Sequence, residues 1–450
     1  MLRNFFPRVH EMHRLRPTRS VLAIADRLEK AGFEAWCVGG AIRDALLGGS
    51  PLDWDLATSA TPQQVQELFG RKRTIPVGIE FGTVAVLDEV GVAHEITTFR
   101  RDVKTDGRHA VVEFGASLDD DLARRDFTIN AIAFRPSTDE VRDPFHGQED
   151  LRAGIVRAVG DPHERLREDR LRALRGIRFA ARYDFKIDDA TLAAIHDSAA
   201  HLTRLSAERV QQEIVKSMQQ VSAPSAAFRI WRDSGAFRAL VPALGDVSDV
   251  ALATLDHLPR DGAGDRQAPQ RTANRIAALF LDRSPAQVRS SLTALRFSRH
   301  DVAWATALVE RWVNTGTALA LALAEPVADI EIRRWHAELG RIHAGPFLRV
   351  AGARWTAMRE AGEDAPSAAA VRVMHKRMFS ARHGGVVEIG DLAIGGDELR
   401  AAGIPAGPIY AKILRALLEW VIEEPDRNTP AQLLSEVSRI RATIETGSTT

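Results

Sequence analysis

A chain of 450 residues is too long for one ordinary hydrophobic core, so several domains are expected. Lys plus Arg and Asp plus Glu each number 60, which excludes the global basic charge of many nucleic-acid binders and makes any anion-binding surface a local one. The single cysteine excludes an intramolecular disulfide and a cysteine zinc site, and fits a reducing compartment. No run of about 18 apolar residues marks a membrane span. The N-terminus carries Arg and His without the apolar segment of a secretory signal, so the cytoplasm is the expected location.

In chain order, Leu22, Ile24, Ala25 and Leu28 form a helical apolar stripe. The run Ala35–Val38 makes Cys37 a buried strand residue, with Trp36–Val38 as a short strand. Gly39-Gly40 is a turn, and a helix follows over Ala41–Leu47. Thr61-Pro62 followed by Gln64 is a capping box that opens a helix carrying Val65, Leu68 and Phe69. Phe81–Leu87 and Val92–Phe99 are paired strands joined by a turn at Glu89–Gly91. The charged stretch Arg100–Ala110 is expected to be a mobile loop. Ile129–Phe134 and Val141–Asp143 add further strand.

After Gly160 the composition turns to that of stacked helices. Glu164–Arg182 is expected as one long helix. Ser206 starts another, with Val210, Ile214 and Met218 in register, and Arg260–Ala273 is a loop. Near the end, Leu414, Leu417, Leu418, Val421 and Ile422 give the helix Tyr410–Glu423 one apolar face.

The densest chemistry lies in GGAIRDALLGGSPLDWDLATSATP, beginning at Gly39. Residues i and i+2 of a strand share a face, so Asp53 and Asp55 would stand side by side. Two carboxylates that close resist ionising unless a cation bridges them. A few carboxylates plus substrate phosphates is the ligand set Mg²⁺ prefers. Gly39 and Gly40 let backbone N–H groups approach a phosphate, and the N-terminus of the following helix would help hold the anion. Asp-x-Asp alone is usually a solvated loop and Gly-Gly alone a turn. The combination, with Arg43 and Asp44 between, points to nucleotidyl transfer.

That stretch resembles motif A of the nucleotidyltransferase superfamily, specifically of the bacterial class II CCA-adding tRNA nucleotidyltransferase and poly(A) polymerase family. The resemblance continues through Phe81-Gly82-Thr83, Glu95 and Thr97–Arg100. It implies that Glu95 is a third metal-directed carboxylate, although a lone strand glutamate is ordinarily just exposed. Asp53, Asp55 and Glu95 would then be catalytic, with Asp53 and Asp55 as metal ligands for two Mg²⁺ ions. Arg124-Arg125-Asp126-Phe127-Thr128-Ile129-Asn130 resembles the motif RRDFxxNA, implying that Arg124, Arg125, Asp126 and Asn130 hold the ribose. The alternative is a surface cluster of ion pairs.

Glu168-Asp169-Arg170-Leu171-Arg172 resembles EDxxR, the protein template for base choice in that family. The alternative is an ordinary helical salt bridge. Arg172 only donates and ionised Asp169 only accepts, so together they complement C and A and mismatch G and U. Of Arg175, Arg178 and Arg182, some are expected at phosphates and others in structural roles; Arg175 and Arg178 join the expected nucleotide-binding set with Gly39, Gly40 and Arg43. Asp143-Pro144-Phe145, Gly147 and Asp150-Leu151 resemble the family's DPFxGxxDL and are read as scaffold. In the charged loop, Asp106-Gly107-Arg108 matches the family, whereas His109-Ala110 stands where Arg-Pro is usual; the family links that loop to adding the final A. Asp256-His257 is read as helix surface and His163 is left without a role.

The resemblance extends through HLTRLSAER, from His201, and the tail after Gly390. It implies an α/β nucleotidyltransferase head, a mixed sheet with helices, over residues 1–155. An elongated all-α remainder would follow as neck (156–222), body (223–345) and tRNA-binding tail (346–450). The implied reaction is template-independent CCA addition to the tRNA 3′ end from CTP and ATP with Mg²⁺, needing no membrane and no protein partner. Rivals are a poly(A) polymerase, an enzyme adding only CC or only A, and a catalytically silent RNA-binding protein; the last would not require the carboxylate cluster.

Overall fold

The computed structural model describes residues 15–105, 110–259, 268–380 and 385–446. It divides into two compact units, Met1–Asp246 and Val247–Thr450.

The first unit begins with α1 (Arg19–Lys30), capped by Thr18, with Val21, Ile24, Ala25 and Leu28 buried. The expected stripe is thus shifted by one residue at its start: Leu22 is 40% exposed and Val21 takes its place. Next come β1 (Ala35–Val38), α2 (Gly40–Leu46), β2 (Asp55–Thr58) and α3 (Pro62–Phe69). Thr61 and Gln64 make the reciprocal capping box at the start of α3, with N–H to oxygen distances of 3.4 and 2.8 Å. Then follow β3 (Thr74–Gly78), β4 (Thr83–Leu87), β5 (Ala93–Thr98), β6 (Arg100–Thr105), β7 (Ala110–Phe114) and α4 (Leu118–Ala123). Asp88 closes the β4–β5 turn by accepting from the Val90 and Val92 amides at 3.0 and 2.8 Å. The first unit continues with β8 (Ala133–Arg135), β9 (Glu140–Arg142), α5 (Gly147–Ala153) and β10 (Ile155–Val156). It ends with α6 (Pro162–Glu168), α7 (Leu171–Tyr183), β11 (Lys186–Ile187), α8 (Asp189–Ser198), α9 (Ala207–Gln220), α10 (Pro224–Asp233) and α11 (Ala236–Leu240).

Seven strands form one sheet in the order β3-β4-β5-β2-β1-β8-β9. The β2–β5 pair is parallel and every other pair in the sheet is antiparallel, so the sheet is mixed. Both faces are covered at its centre. Along β1, Ala35 and Cys37 pack into one apolar cluster with α1 and α2, while Trp36 and Val38 pack into another with Leu118 and Leu122. This is the period of two that a doubly covered strand requires.

Three expected elements of the first unit are corrected: of the strand expected over Ile129–Phe134 only Ala133 and Phe134 lie in β8, while Thr128–Asn130 form a 3-10 turn. Arg100–Ala110 is not a continuous loop: β6 and β7 pair antiparallel, Arg100 opposite Phe114. The charge density of the stretch hid the pairing; residues 106–109, with the Asp106-Gly107-Arg108 match and His109, lie outside the described residues. The helix expected over Glu164–Arg182 is broken between α6 and α7. Asp169 is extended, at φ −148° and ψ 107°, and its carboxylate accepts from the Leu171 amide at 3.0 Å. A short acidic side chain that satisfies the backbone locally competes with helix continuation.

The second unit is helical, with no strand among its described residues. It runs through α12 (Asp249–Thr254), α13 (Ala268–Leu279), α14 (Pro285–Ala294), α15 (Arg299–Ala322), α16 (Asp329–Leu339), α17 (Arg341–Glu360), α18 (Ala368–Met378), α19 (Gly396–Ala401), α20 (Ile409–Glu423) and α21 (Pro430–Thr446). Of the loop expected over Arg260–Ala273, Ala268–Ala273 belongs to helix α13, and residues 260–267 lie outside the described residues. Ile413, Leu417 and Val421 of α20 are fully buried against Leu433 and Val437 of α21. No described helix is long and apolar enough to cross a membrane.

Candidate active site

Trp54, 1% exposed, turns its ring into the core and donates through Nε1 to the Pro51 carbonyl at 2.9 Å. Its neighbours Asp53 and Asp55 both keep solvent-accessible surface. Asp53 lies in the loop before β2 and Asp55 is the first residue of that strand. Leu56 pairs with Ile96, so one step back Asp55 and Glu95 stand at the same end of adjacent parallel strands. The surrounding protein, then the charges of Asp53 and Glu95, push the Asp55 carboxyl up to about 6, while Arg125 pulls it back. Among the described residues no three acidic, histidine or cysteine side chains converge tightly enough to enclose an ion by themselves. Asp53 and Glu95 instead act on Asp55 across an open site. That donor set fits a hard divalent cation whose remaining ligands are water and phosphate oxygens, and such a cation would relieve the mutual repulsion.

Gly39 adopts φ +79°, and a Cβ there would lie 3.1 Å from Arg125 Nη1 and 3.8 Å from Asp55 Oδ2. The missing side chain is what lets that arginine and that aspartate close on the turn. Arg125 and Arg124 are both held by Asp121, which is fully buried: Arg124 donates at 2.7 Å and Arg125 at 3.2 Å. Arg43, 4% exposed, donates to Asn130 Oδ1 and to Asp44 and lies 4.9 Å from the ring centroids of both Phe179 and Tyr183. Tyr183 completes the cage by donating to Asp44 at 2.7 Å.

Asp126 is buried. One of its oxygens accepts from the Phe127 amide and Asn130 Nδ2, both at 2.9 Å; the other accepts from Arg175 Nε at 2.8 Å. Burial works against its charge, but Arg175 and Asn130 outweigh that and hold the carboxyl below its ordinary value.

Asp169 and Arg172 do not bond to each other. Asp169 Oδ2 accepts from Arg209 of α9 at 2.6 Å. Arg172 donates through Nη1 to the Arg165 carbonyl at 2.9 Å and to Glu168 at 2.5 Å, and through Nη2 to the Arg124 carbonyl at 2.9 Å. A guanidinium has five N–H donors, so Nε–H and one Nη2–H remain, and each Asp169 oxygen keeps acceptor capacity.

These groups converge on one cavity of about 480 Å³. Of the residues singled out from sequence, Gly39, Gly40, Arg43, Asp55, Arg124, Arg125, Asp126, Asn130, Asp169, Arg172 and Arg175 line it. Asp53 and Glu95 do not line it, although both act on Asp55. Arg178 is also outside it: 3% exposed, it pairs with Glu213 at 2.7 Å and donates to Gln220. Leu171, Phe179 and Arg209 line the cavity but were not singled out from sequence. Arg209 lies within the HLTRLSAER segment, yet nothing in its spacing signals a reach of 40 residues to Asp169. With six arginines against three aspartates in the lining, the cavity favours an anion.

A cavity that sets an acidic strand end beside an arginine-rich wall defines a nucleotidyltransferase head, and comparison with known proteins agrees. Residues 35–157 match the family described as "Poly A polymerase head domain", and residues 184–247 match "Probable RNA and SrmB- binding site of polymerase A". A CCA-adding enzyme of Latilactobacillus sakei is 35% identical over 417 residues, covering 92% of this chain and 96% of that protein. One from Enterococcus faecalis is 50% identical over 193 residues, covering 42% of this chain and 47% of that protein. The crystal structure of the Bacillus stearothermophilus CCA-adding enzyme in complex with CTP superposes with a TM-score of 0.75 at 29% identity, covering 96% of this chain and all (100%) of that one. The chain belongs to the CCA-adding enzyme family, whose members generally use divalent metal ions.

Proposed function

We propose that this protein builds or repairs the 3′-CCA end of tRNA without a nucleic-acid template, consuming CTP and ATP and releasing pyrophosphate. The observation that carries this reading is the single cavity in which Asp55, the Arg124–Asp126 turn and the Asp169/Arg172 pair meet. The name shared by the relatives favours CCA addition over poly(A) synthesis or silent RNA binding.

In the reaction, the 3′-oxygen of the RNA forms a bond to the α-phosphorus of the nucleotide. The bond from that phosphorus to the oxygen bridging to the β-phosphate breaks, pyrophosphate leaves, and the hydroxyl proton passes to solvent. No protein nucleophile is needed. Asp53 and Asp55 would hold Mg²⁺ beside Glu95, and the bound ion supplies the charge that lowers the hydroxyl pKa and steadies the leaving pyrophosphate.

The chain's own work is positioning. Arg124 and Arg125, braced by Asp121, face the triphosphate. Arg43 and Asp126 are both tied to Asn130, so the ribose side of the cavity is stiff. A ribose hydroxyl would share Asp126 with Arg175 or bond to Asn130. The spare donors of Arg172 meet the acceptors of C or A, and Asp169 accepts from their exocyclic amine. Guanine and uracil reverse that order and leave polar groups unpaired, at about 1–3 kcal/mol each. Arg178 supports α7 from behind through Glu213.

The test is incorporation with Mg²⁺ on tRNA ending before CCA, after C and after CC, with the four nucleotides offered singly and together. Ordered addition of C, C and A followed by a stop is expected. A long A tail, or addition of only CC or only A, would replace this reading with a neighbouring activity.

A further inference from the structure

Asp44 and Tyr183 do not line the nucleotide cavity, yet both are in contact with Arg43, which does. Tyr183 is the last residue of α7 and is 5% exposed. Its hydroxyl donates to Asp44 Oδ1 at 2.7 Å. The same oxygen accepts from Arg43 Nε at 2.9 Å, and Arg182 Nη2 reaches Asp44 Oδ2 at 3.4 Å. Burial pushes the Tyr183 phenol up to about 12 against the pull of Arg43, so the hydroxyl stays a donor at neutral pH.

Arg43 passes this restraint inward. Phe179 and Tyr183 hold its guanidinium between their rings, and Nε and Nη2 are turned to Asp44. That leaves Nη1 for Asn130 Oδ1. A guanidinium only donates, so the Asn130 amide must offer it the oxygen. The amide NH₂ then faces Asp126 and donates to it at 2.9 Å. One N–H of that group is used there and one is left. The other oxygen of Asp126 accepts from Arg175, back on α7. Asp44, Arg43, Asn130 and Asp126 thus form a continuous chain of bonds between Tyr183 and Arg175, two points on one helix.

A hydroxyl both donates and accepts. A spare amide N–H beside a carboxylate offers it one partner for each role, and a C–H in its place can use neither. A site built in this way rejects the analogue that lacks the hydroxyl, because its own polar groups are then left unpaired.

We propose that Asp44 and Tyr183 are positioning residues for sugar selection. By clamping Arg43, they hold the Asn130 amide in the orientation that, together with Asp126, receives a ribose 2′-hydroxyl. The nucleotide in the cavity rests on the proposed function; the chain of bonds does not.

The test uses the full chain and two separate variants. Tyr183→Phe removes only the hydroxyl and keeps the ring over Arg43; Asp44→Asn removes the charge at nearly constant size. The kcat/KM for CTP and for dCTP is measured on tRNA lacking CCA. The wild type should prefer CTP. In each variant that preference should fall about three- to tenfold, the loss of about one hydrogen bond's restraint, with most of the loss on CTP. The preference for CTP over UTP, assigned to Asp169 and Arg172, should hold. A merely structural role would slow CTP and dCTP alike, so an unchanged ratio in Tyr183→Phe would overturn the proposal, even if Asp44→Asn fails to fold. Equal loss of the sugar and base preferences would overturn it too, because the cavity would then have loosened as a whole. A wild-type chain that fails to extend tRNA would defeat the proposed function. The same CTP-to-dCTP ratio, read as Kd by calorimetry, would still judge the clamp.

Discussion

Asp126 and Arg175 form an ion pair across 49 residues of sequence, with Nε and Nη2 of the arginine 2.8 and 2.7 Å from the same carboxylate oxygen, Asp126 buried and Arg175 a third exposed. The pair fastens α7 to the turn that follows α4. Removing one partner strands the other charge. Asp126→Ala should lose about 1–3 kcal/mol of stability in chemical denaturation, since the Arg175 charge left behind keeps a third of its side chain exposed. The double variant Asp126→Ala/Arg175→Ala should lose clearly less than the sum of the two single losses. Additive losses would mean that the two side chains are not coupled.

Arg178 provides the contrast within the same helix. It pairs with Glu213 and does not line the cavity. Arg178→Ala should cost about 3–5 kcal/mol in unfolding free energy. At a temperature where the variant is folded, its KM for CTP should match the wild type. A large rise in that KM with unchanged stability would give Arg178 a direct place at the nucleotide.

The carboxylate cluster predicts dependence on a divalent cation. Chelation should abolish incorporation and added Mg²⁺ should restore it. Asp53→Ala and Asp55→Ala should each lower kcat by about 10²- to 10³-fold or more, the range for removing a major electrostatic contributor to a transition state. Full activity in either variant would remove that residue from the metal site.

Asp55 also makes a pH prediction. Although it keeps accessible surface, its carboxyl is pushed up to about 6 in the folded chain by desolvation from the surrounding protein and by the charges of Asp53 and Glu95. Because the folded value is raised, the stabilising contribution of the protonated form is present below the ordinary aspartate range and is lost as pH rises through about 6. Without metal, Asp55→Asn should therefore melt progressively higher than the wild type as pH climbs from 4 to 7, a span set by about 3.9 for an ordinary aspartate and the raised value. Mg²⁺ should close that gap by stabilising only the wild type. A pH-independent difference would contradict the shared charge.

The features legible in the sequence are those with short-range causes. The Thr61/Gln64 capping box, the β4–β5 turn at Glu89–Gly91 and the buried strand around Cys37 all follow from a few neighbouring residues. So does most of the cavity wall, because its residues sit in compact motifs. What escaped depended on distant partners or on a competing local bond. Arg209 reaches Asp169 across a fold that no periodicity reports. The break between α6 and α7 turns on one carboxylate choosing the Leu171 amide. The β6–β7 hairpin was masked by charges that a two-stranded ribbon tolerates, since both its faces can stay wet. The structural role of Arg178 needed Glu213, 35 residues away, to be visible.

Arg209 leads to a further expectation. It holds Asp169 at 2.6 Å from the start of α9. Arg209→Ala should leave Asp169 free to turn, raising KM for both CTP and ATP and weakening base discrimination about tenfold, the loss of roughly one charge-assisted hydrogen bond. Unchanged discrimination would mean that α6 and the Leu171 amide suffice to aim the carboxylate.

The most direct test of the account is single-turnover incorporation of each of the four nucleotides on tRNA ending before CCA, by the wild type and by Arg172→Ala. The wild type should take CTP and refuse GTP and UTP. The variant should lose most of its CTP rate and narrow the gap to GTP and UTP by about 5- to 150-fold, the equivalent of about 1–3 kcal/mol. A variant that is slow but just as selective would contradict base reading by Arg172 and move the source of selectivity elsewhere in the cavity.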